Sequence, residues 1–84
     1  MPMVEDRERF YSRLAAIPGC RPMPSVGDWI LLQVEHPAEL ARRVTRRLHP
    51  GLISVPRHVR GAVRVMISDA KTNEKILGVL REAV

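Results

Sequence analysis

Cysteine is nearly missing from this sequence, Cys20 being the only one in 84 residues. A single thiol closes no intrachain disulfide and builds no cysteine-rich zinc site, so a reducing, cytoplasmic compartment is expected. Aromatic residues are as scarce, with one Phe, one Tyr and one Trp, which removes the stacking platforms on which single-stranded nucleic acids lie. The histidines His36, His49 and His58 form no i, i+4 pair and adjoin no set of cysteines or acids, whereas a metal site needs three or four converging ligands. No apolar run approaches the roughly 18 residues of a membrane span. Acids stand in MPMVEDRERF where a signal peptide would carry its apolar segment. There is no glycine-rich phosphate loop, and no serine has the context of a nucleophile elbow. These absences point to a soluble chain that carries no disulfide, metal or nucleotide-loop chemistry of its own.

What is present describes a small globular domain. A chain of this length holds one core and buries only roughly 60–65% of its unfolded surface, so its stability is marginal and easily raised by a partner. The formal net charge is +5, which argues against a disordered acidic tail and leaves basic-surface functions open. From about Val4 to Ile17, Phe10, Leu14 and Ile17 recur at helical spacing, with Glu5, Asp6 and Glu8 in the first turn. The next segment, Pro18 to Asp28, has three prolines and two glycines in eleven residues and reads as an irregular connector. Cys20 lies within it and suits a small buried filler. Trp29 to Val34 is almost continuously apolar, which fits a central strand covered on both faces and puts Trp29 in the core.

A second helix starts at His36-Pro37, carries Leu40, Val44 and Leu48 at spacings of four, and should stop near His49. Arg42 and Arg46 fall opposite its apolar stripe, and Arg43 and Arg47 near the stripe's edge. That cluster is the best case for a nucleic-acid surface, but an arginine-rich polar face is more often simply solvated. Strands over Leu52 to Val55 and Ala62 to Ile67 follow, joined by the basic turn Pro56 to Gly61. A last helix is built on Ile76, Leu77, Val79, Leu80 and Val84, with Ser68 or Asp69 as its cap. The expected fold is α+β, in the order α-β-α-β-β-α, with helices packed on a three-stranded sheet. Residues 1–84 form one domain.

Arg64 breaks the apolar alternation of Val63, Val65 and Ile67. Either it marks an anion site, or it leaves an exposed sheet face or pairs with Asp69 or Glu74. Arg57, in the basic turn, has the same two options, with plain solvation favoured.

Four stretches in this order, RERFYSRLAAIPGC, MPSVGDWILLQV, HPGLISVPR and VRVMISDAKTNEKILGVLREAV, resemble the carboxyl-terminal small domain of the class I/II aminotransferases, pyridoxal-phosphate enzymes of fold type I. The likeness spans nearly the whole chain and is nearest the branch of histidinol-phosphate aminotransferase and threonine-phosphate decarboxylase. There are departures: Asp28 stands where the family has Asn, Ser68-Asp69 where it has Gly-Thr, and Val55 at a family arginine position, with Arg57 the nearest substitute. By this resemblance Arg64 matches the arginine that grips the substrate carboxylate, a task suited to a planar guanidinium that makes two parallel charge-assisted bonds. Arg57 and Asp28 border the same substrate side.

The family's cofactor, pyridoxal phosphate, needs a Schiff-base lysine, an acid against the pyridine nitrogen and a phosphate cradle. In the family these belong to the large domain, which this sequence does not contain. Lys71 and Lys75, its only lysines, lie on the polar face of the last helix. Alone, the chain should bind no cofactor and should not transaminate. Two expectations follow: a stand-alone or truncated small domain that completes a transaminase with a large-domain polypeptide, or a non-catalytic module that binds a small anionic ligand, a protein or its own copy. An orphaned half-domain should expose a contiguous apolar patch, and an adapted module should cover it or dimerise through it.

Overall fold

In the computed structural model, which describes residues 4–24 and 27–83, α1 (Val4–Ala15) is followed by β1 (Arg21–Pro22), β2 (Trp29–Gln33), α2 (Pro37–Arg47), β3 (Ile53–Ser54), β4 (Ala62–Met66) and α3 (Ala70–Ala83). A 3-10 turn, Pro50–Leu52, leads into β3. The fold is α+β, and the strands form one antiparallel sheet in the order β1-β2-β4-β3. Val84, expected in the last apolar stripe, lies outside the described residues.

The five-residue pairing of β2 with β4 sets the faces of the sheet. Ile30 and Leu32 stand opposite Val65 and Val63 on one side, and Trp29, Leu31 and Gln33 opposite Met66, Arg64 and Ala62 on the other. All three helices cover the first side. Phe10 and Leu14 of α1, Leu40 and Val44 of α2, and Ile76, Leu77 and Leu80 of α3 join Ile30, Leu32, Ile53, Val63 and Val65 in one buried cluster. Among the described residues no helix covers the second side.

Four sequence expectations are corrected here. The sheet has four strands rather than three, because Arg21–Pro22, inside the proline-rich connector, pairs with Gln33 and Leu32. An edge strand tolerates Pro22, since its missing N–H leaves no inner ladder bond unmade, and the Tyr11 hydroxyl donates to the Pro22 carbonyl at 3.0 Å. The element order is accordingly α-β-β-α-β-β-α. Second, β2 is covered on one face only, so its continuous apolar run reflects a helix-packed face and a half-buried open one. Third, Trp29 belongs to that open face rather than to the core. The strand expected over Leu52 to Val55 is also shorter, because Leu52 closes the 3-10 turn and Val55 beyond Ser54 is exposed.

Local chemistry explains the helix ends. Pro37 takes the first position of α2, where no N–H is needed, and the Leu48 amide closes the helix on the Val44 carbonyl at 2.8 Å. Of the two cap candidates for α3, Asp69 takes the role: its Oδ1 accepts from the Thr72 amide at 2.7 Å. The Thr72 hydroxyl bonds the same carboxylate, and together they hold the Asp69 carboxyl below its ordinary value. A lowered carboxylate pKa stabilises the fold above the unfolded value of about 3.9 and loses that contribution as pH falls through the folded value. We expect the Asp69 carboxyl, followed by NMR, to titrate below that of an unfolded Asp. Asp69→Ala should lower the melting temperature at neutral pH, by a deficit that shrinks as pH falls through the folded-state pKa of Asp69. Ion pairs Arg13–Glu74 and Arg47–Glu82 link α3 to α1 and α2 at the surface, where such pairs add little. No described helix is long and apolar enough to cross a membrane.

Candidate functional site on the open sheet face

Strand alternation puts Arg64 on the helix-free face, between Leu31 of β2 and Ser54 of β3. Its Nε donates to Ser54 Oγ at 3.3 Å, and its guanidinium carbon lies 5.1 Å from the centroid of the Trp29 ring. The negative face of the indole attracts the cation and restrains its plane. With Nε engaged, the two terminal nitrogens retain their donors for an anion.

These groups border a shallow depression of about 380 Å³, walled by Trp29, Met66, Ser54, Pro50 and Gly51. The 3-10 turn forms one wall and is pinned by His49, whose Nδ1 accepts from the Gly51 amide at 2.9 Å. That bond requires Nδ1 unprotonated. A Cβ at position 51 would meet the His49 ring at 3.2 Å, so a side chain there would press the ring outward by a few tenths of an ångström.

Among the described residues no carboxylate pairs with Arg64. The two acids expected as alternatives are engaged elsewhere, Asp69 with Thr72 and Glu74 with Arg13. Asp28 lies at the Trp29 end of the sheet, where its carbonyl accepts from the Ile67 amide at 2.7 Å and prolongs the β2–β4 ladder. Arg57 is exposed in the turn before β4, at the opposite end of that strand. The depression thus joins Arg64 to Ser54, Trp29 and Met66, and neither Arg57 nor Asp28 lines it. Sequence reasoning missed Ser54 and the His49-Pro50-Gly51 wall. Period-2 parity could have shown that Trp29 and Arg64 each lie on some outer face, but only the β2–β4 and β3–β4 registers make them neighbours.

The remaining reactive groups are apart from this site. Cys20 is buried, and burial pushes its thiol pKa up, away from a nucleophilic thiolate. Among the described residues no three His, Cys, Asp or Glu side chains are placed to share a metal ion. Lys71 and Lys75 are exposed on α3, and Arg42, Arg43 and Arg46 are exposed on α2. Neither the protein-family models nor the curated protein sequences contain a match to the chain.

Proposed function

We propose that this chain is the small domain of a class I/II type pyridoxal-phosphate aminotransferase, in which Arg64 receives the substrate carboxylate. The observation that carries the proposal is Arg64 itself: a guanidinium on the open face, restrained by Trp29 and Ser54, with no described carboxylate as partner. An arginine that merely ended a strand face would need neither restraint. Helices on one side and a bare sheet on the other also suit a half-domain that closes over a second body. Pyridoxal phosphate, held by a large domain outside these 84 residues, would supply the electron sink. This chain's part is to bind the carboxylate, fix its orientation and exclude water with Trp29 and Met66.

The test is isolation of the tagged chain from its native cell at low salt, with the absorbance of whatever accompanies it. The proposal expects a larger polypeptide that carries pyridoxal phosphate and transaminates in the complex. Arg64→Ala should then lower kcat/KM for carboxylate substrates about a hundredfold, the size of a lost charge-assisted pair. A chain that elutes colourless, alone or as a homo-oligomer, would sink it.

A second reading, a non-catalytic module on the same fold, is favoured by one observation. Val55, at 45%, is the one large hydrophobic side chain that is exposed among the described residues, and Trp29, Leu31 and Met66 are half-buried on the open face. A surface vacated by a large domain would be expected to be more apolar.

A further inference from the structure

A second cationic depression, sharing no lining residue with the Arg64 site, opens where β1, β2 and β4 meet. It measures about 510 Å³ and is lined by Gly19, Arg21, Gln33, Val34, Arg60 and Gly61. The sheet register builds it. Arg21 on the edge strand pairs with Gln33, and Gln33 pairs with Ala62, so side chains from three strands form one cross-strand row. Arg60 enters from the turn two residues before Ala62. The chain turns there through Gly61, whose φ of +71° suits glycine, and the Gly61 carbonyl is tied to the Val34 amide at 2.9 Å.

Among the described residues no acid lines this depression, and neither Arg21 nor Arg60 forms an ion pair. The nearest acid in sequence, Glu35, has His36 as its neighbour at 3.9 Å. Two arginines that line one hollow give it a positive potential that favours an anion. One arginine satisfies a carboxylate, with its single charge and two oxygens. A dianion with three terminal oxygens matches two forked donors and a carboxamide.

We propose that Arg21, Arg60 and Gln33 form a binding site for a phosphate dianion, either inorganic phosphate or the phosphate of a small monoester. The site is independent of the Arg64 assignment.

The test is a titration of the whole ¹⁵N-labelled chain, at constant ionic strength, with inorganic phosphate and in parallel with glycerol phosphate. Saturable shifts are expected at Gly19, Gly61 and the Gln33 carboxamide, with half-saturation in the millimolar range natural to an exposed site. Arg21→Ser and Arg60→Ser should each weaken binding about three- to tenfold. Arg42→Ser, which removes the same charge from α2, should leave it unchanged. Equal affinity for the two probes means that phosphate alone is recognised, and tighter binding of glycerol phosphate means that the ester is the ligand. Both lesions lie on the surface, and Arg60 lies in a turn, so a folded variant is available even if the edge strand is sensitive. Shifts that rise linearly without saturating, or that fall as much with Arg42→Ser as with Arg21→Ser, would overturn the site.

Discussion

Leu32→Ala is expected to bring the protein close to global unfolding at physiological temperature. Leu32 is 0% exposed, lies on an inner strand opposite Val63, and has Pro22 of the edge strand on its other side. Truncation removes three methylene-sized groups from a place where neither flanking strand can close in without breaking its ladder, so a cavity remains. Such substitutions cost about 2–5 kcal/mol. A domain this small commands about 5–10 kcal/mol in total. With a urea slope of about 1 kcal/mol/M, the midpoint should fall by about 2–5 M at unchanged slope. Val55→Ala, at an exposed position, should move it by less than about 0.5 M. A Leu32→Ala midpoint within that smaller range would mean that the helix-covered face is not closed as described.

Asn73 carries the second large effect. It is the one buried polar side chain among the described residues, 6% exposed, and it clamps the link from β4 to α3. Its Oδ1 accepts from the Ser68 amide at 2.9 Å, and its Nδ2 donates to the Ser68 carbonyl at 3.1 Å. The orientation of the carboxamide follows from the partners, because an amide N–H can only donate and a carbonyl can only accept. Asn73→Ala leaves both Ser68 groups without a partner in a partly buried place, at a cost of about 2 kcal/mol.

Asn73→Asp is the sharper test. It keeps the acceptor, loses the donor, and sets a carboxylate against the Ser68 carbonyl, so its folded-state pKa should rise. An acid with a raised pKa binds more protons when folded, and the stability of this variant should therefore fall as pH increases through the range from about 4 to 7. The wild type has no such dependence from this position. An Asn73→Asp protein as stable as wild type at pH 7 would show that the clamp does not hold the link. The link matters to the site, since it follows directly on the strand that carries Arg64 and Met66.

The two cationic depressions differ in what they offer. Around Arg64 a single restrained guanidinium sits among Trp29, Met66 and Pro50, a setting for one carboxylate beside apolar atoms. Around Arg21 and Arg60 two cations meet a carboxamide and glycine backbone with no large apolar wall, a setting for a compact dianion. On α2, Arg42, Arg43 and Arg46 are exposed and line no hollow in common; Arg43 borders one beside Glu35 and Glu39.

Much of this fold is legible in the sequence, and for reasons that can be stated. The helices announce themselves because Phe10 and Leu14, Leu40 and Val44, and Ile76 and Leu80 recur at spacings that a 3.6-residue period brings to one face. Strand β4 is equally plain because Val63 and Val65 alternate with Arg64. Proline and glycine mark the breaks, and Asp69 is a visible cap because capping is a local matter of a side-chain oxygen three residues before an amide. Tertiary structure alone decided the rest, and each case is a long-range pairing. Arg21–Pro22 becomes a strand only because β2 offers it an edge, and nothing local distinguishes two extended residues from a loop. The apolar run of β2 is ambiguous between two covered faces and one, since the sequence does not count the helices on each side. Arg64 is brought to Ser54, Trp29 and the His49-Pro50-Gly51 turn by registers that composition and periodicity do not contain. Local order follows from short-range sterics and hydrogen bonds, whereas both candidate sites arise from where separate segments cross.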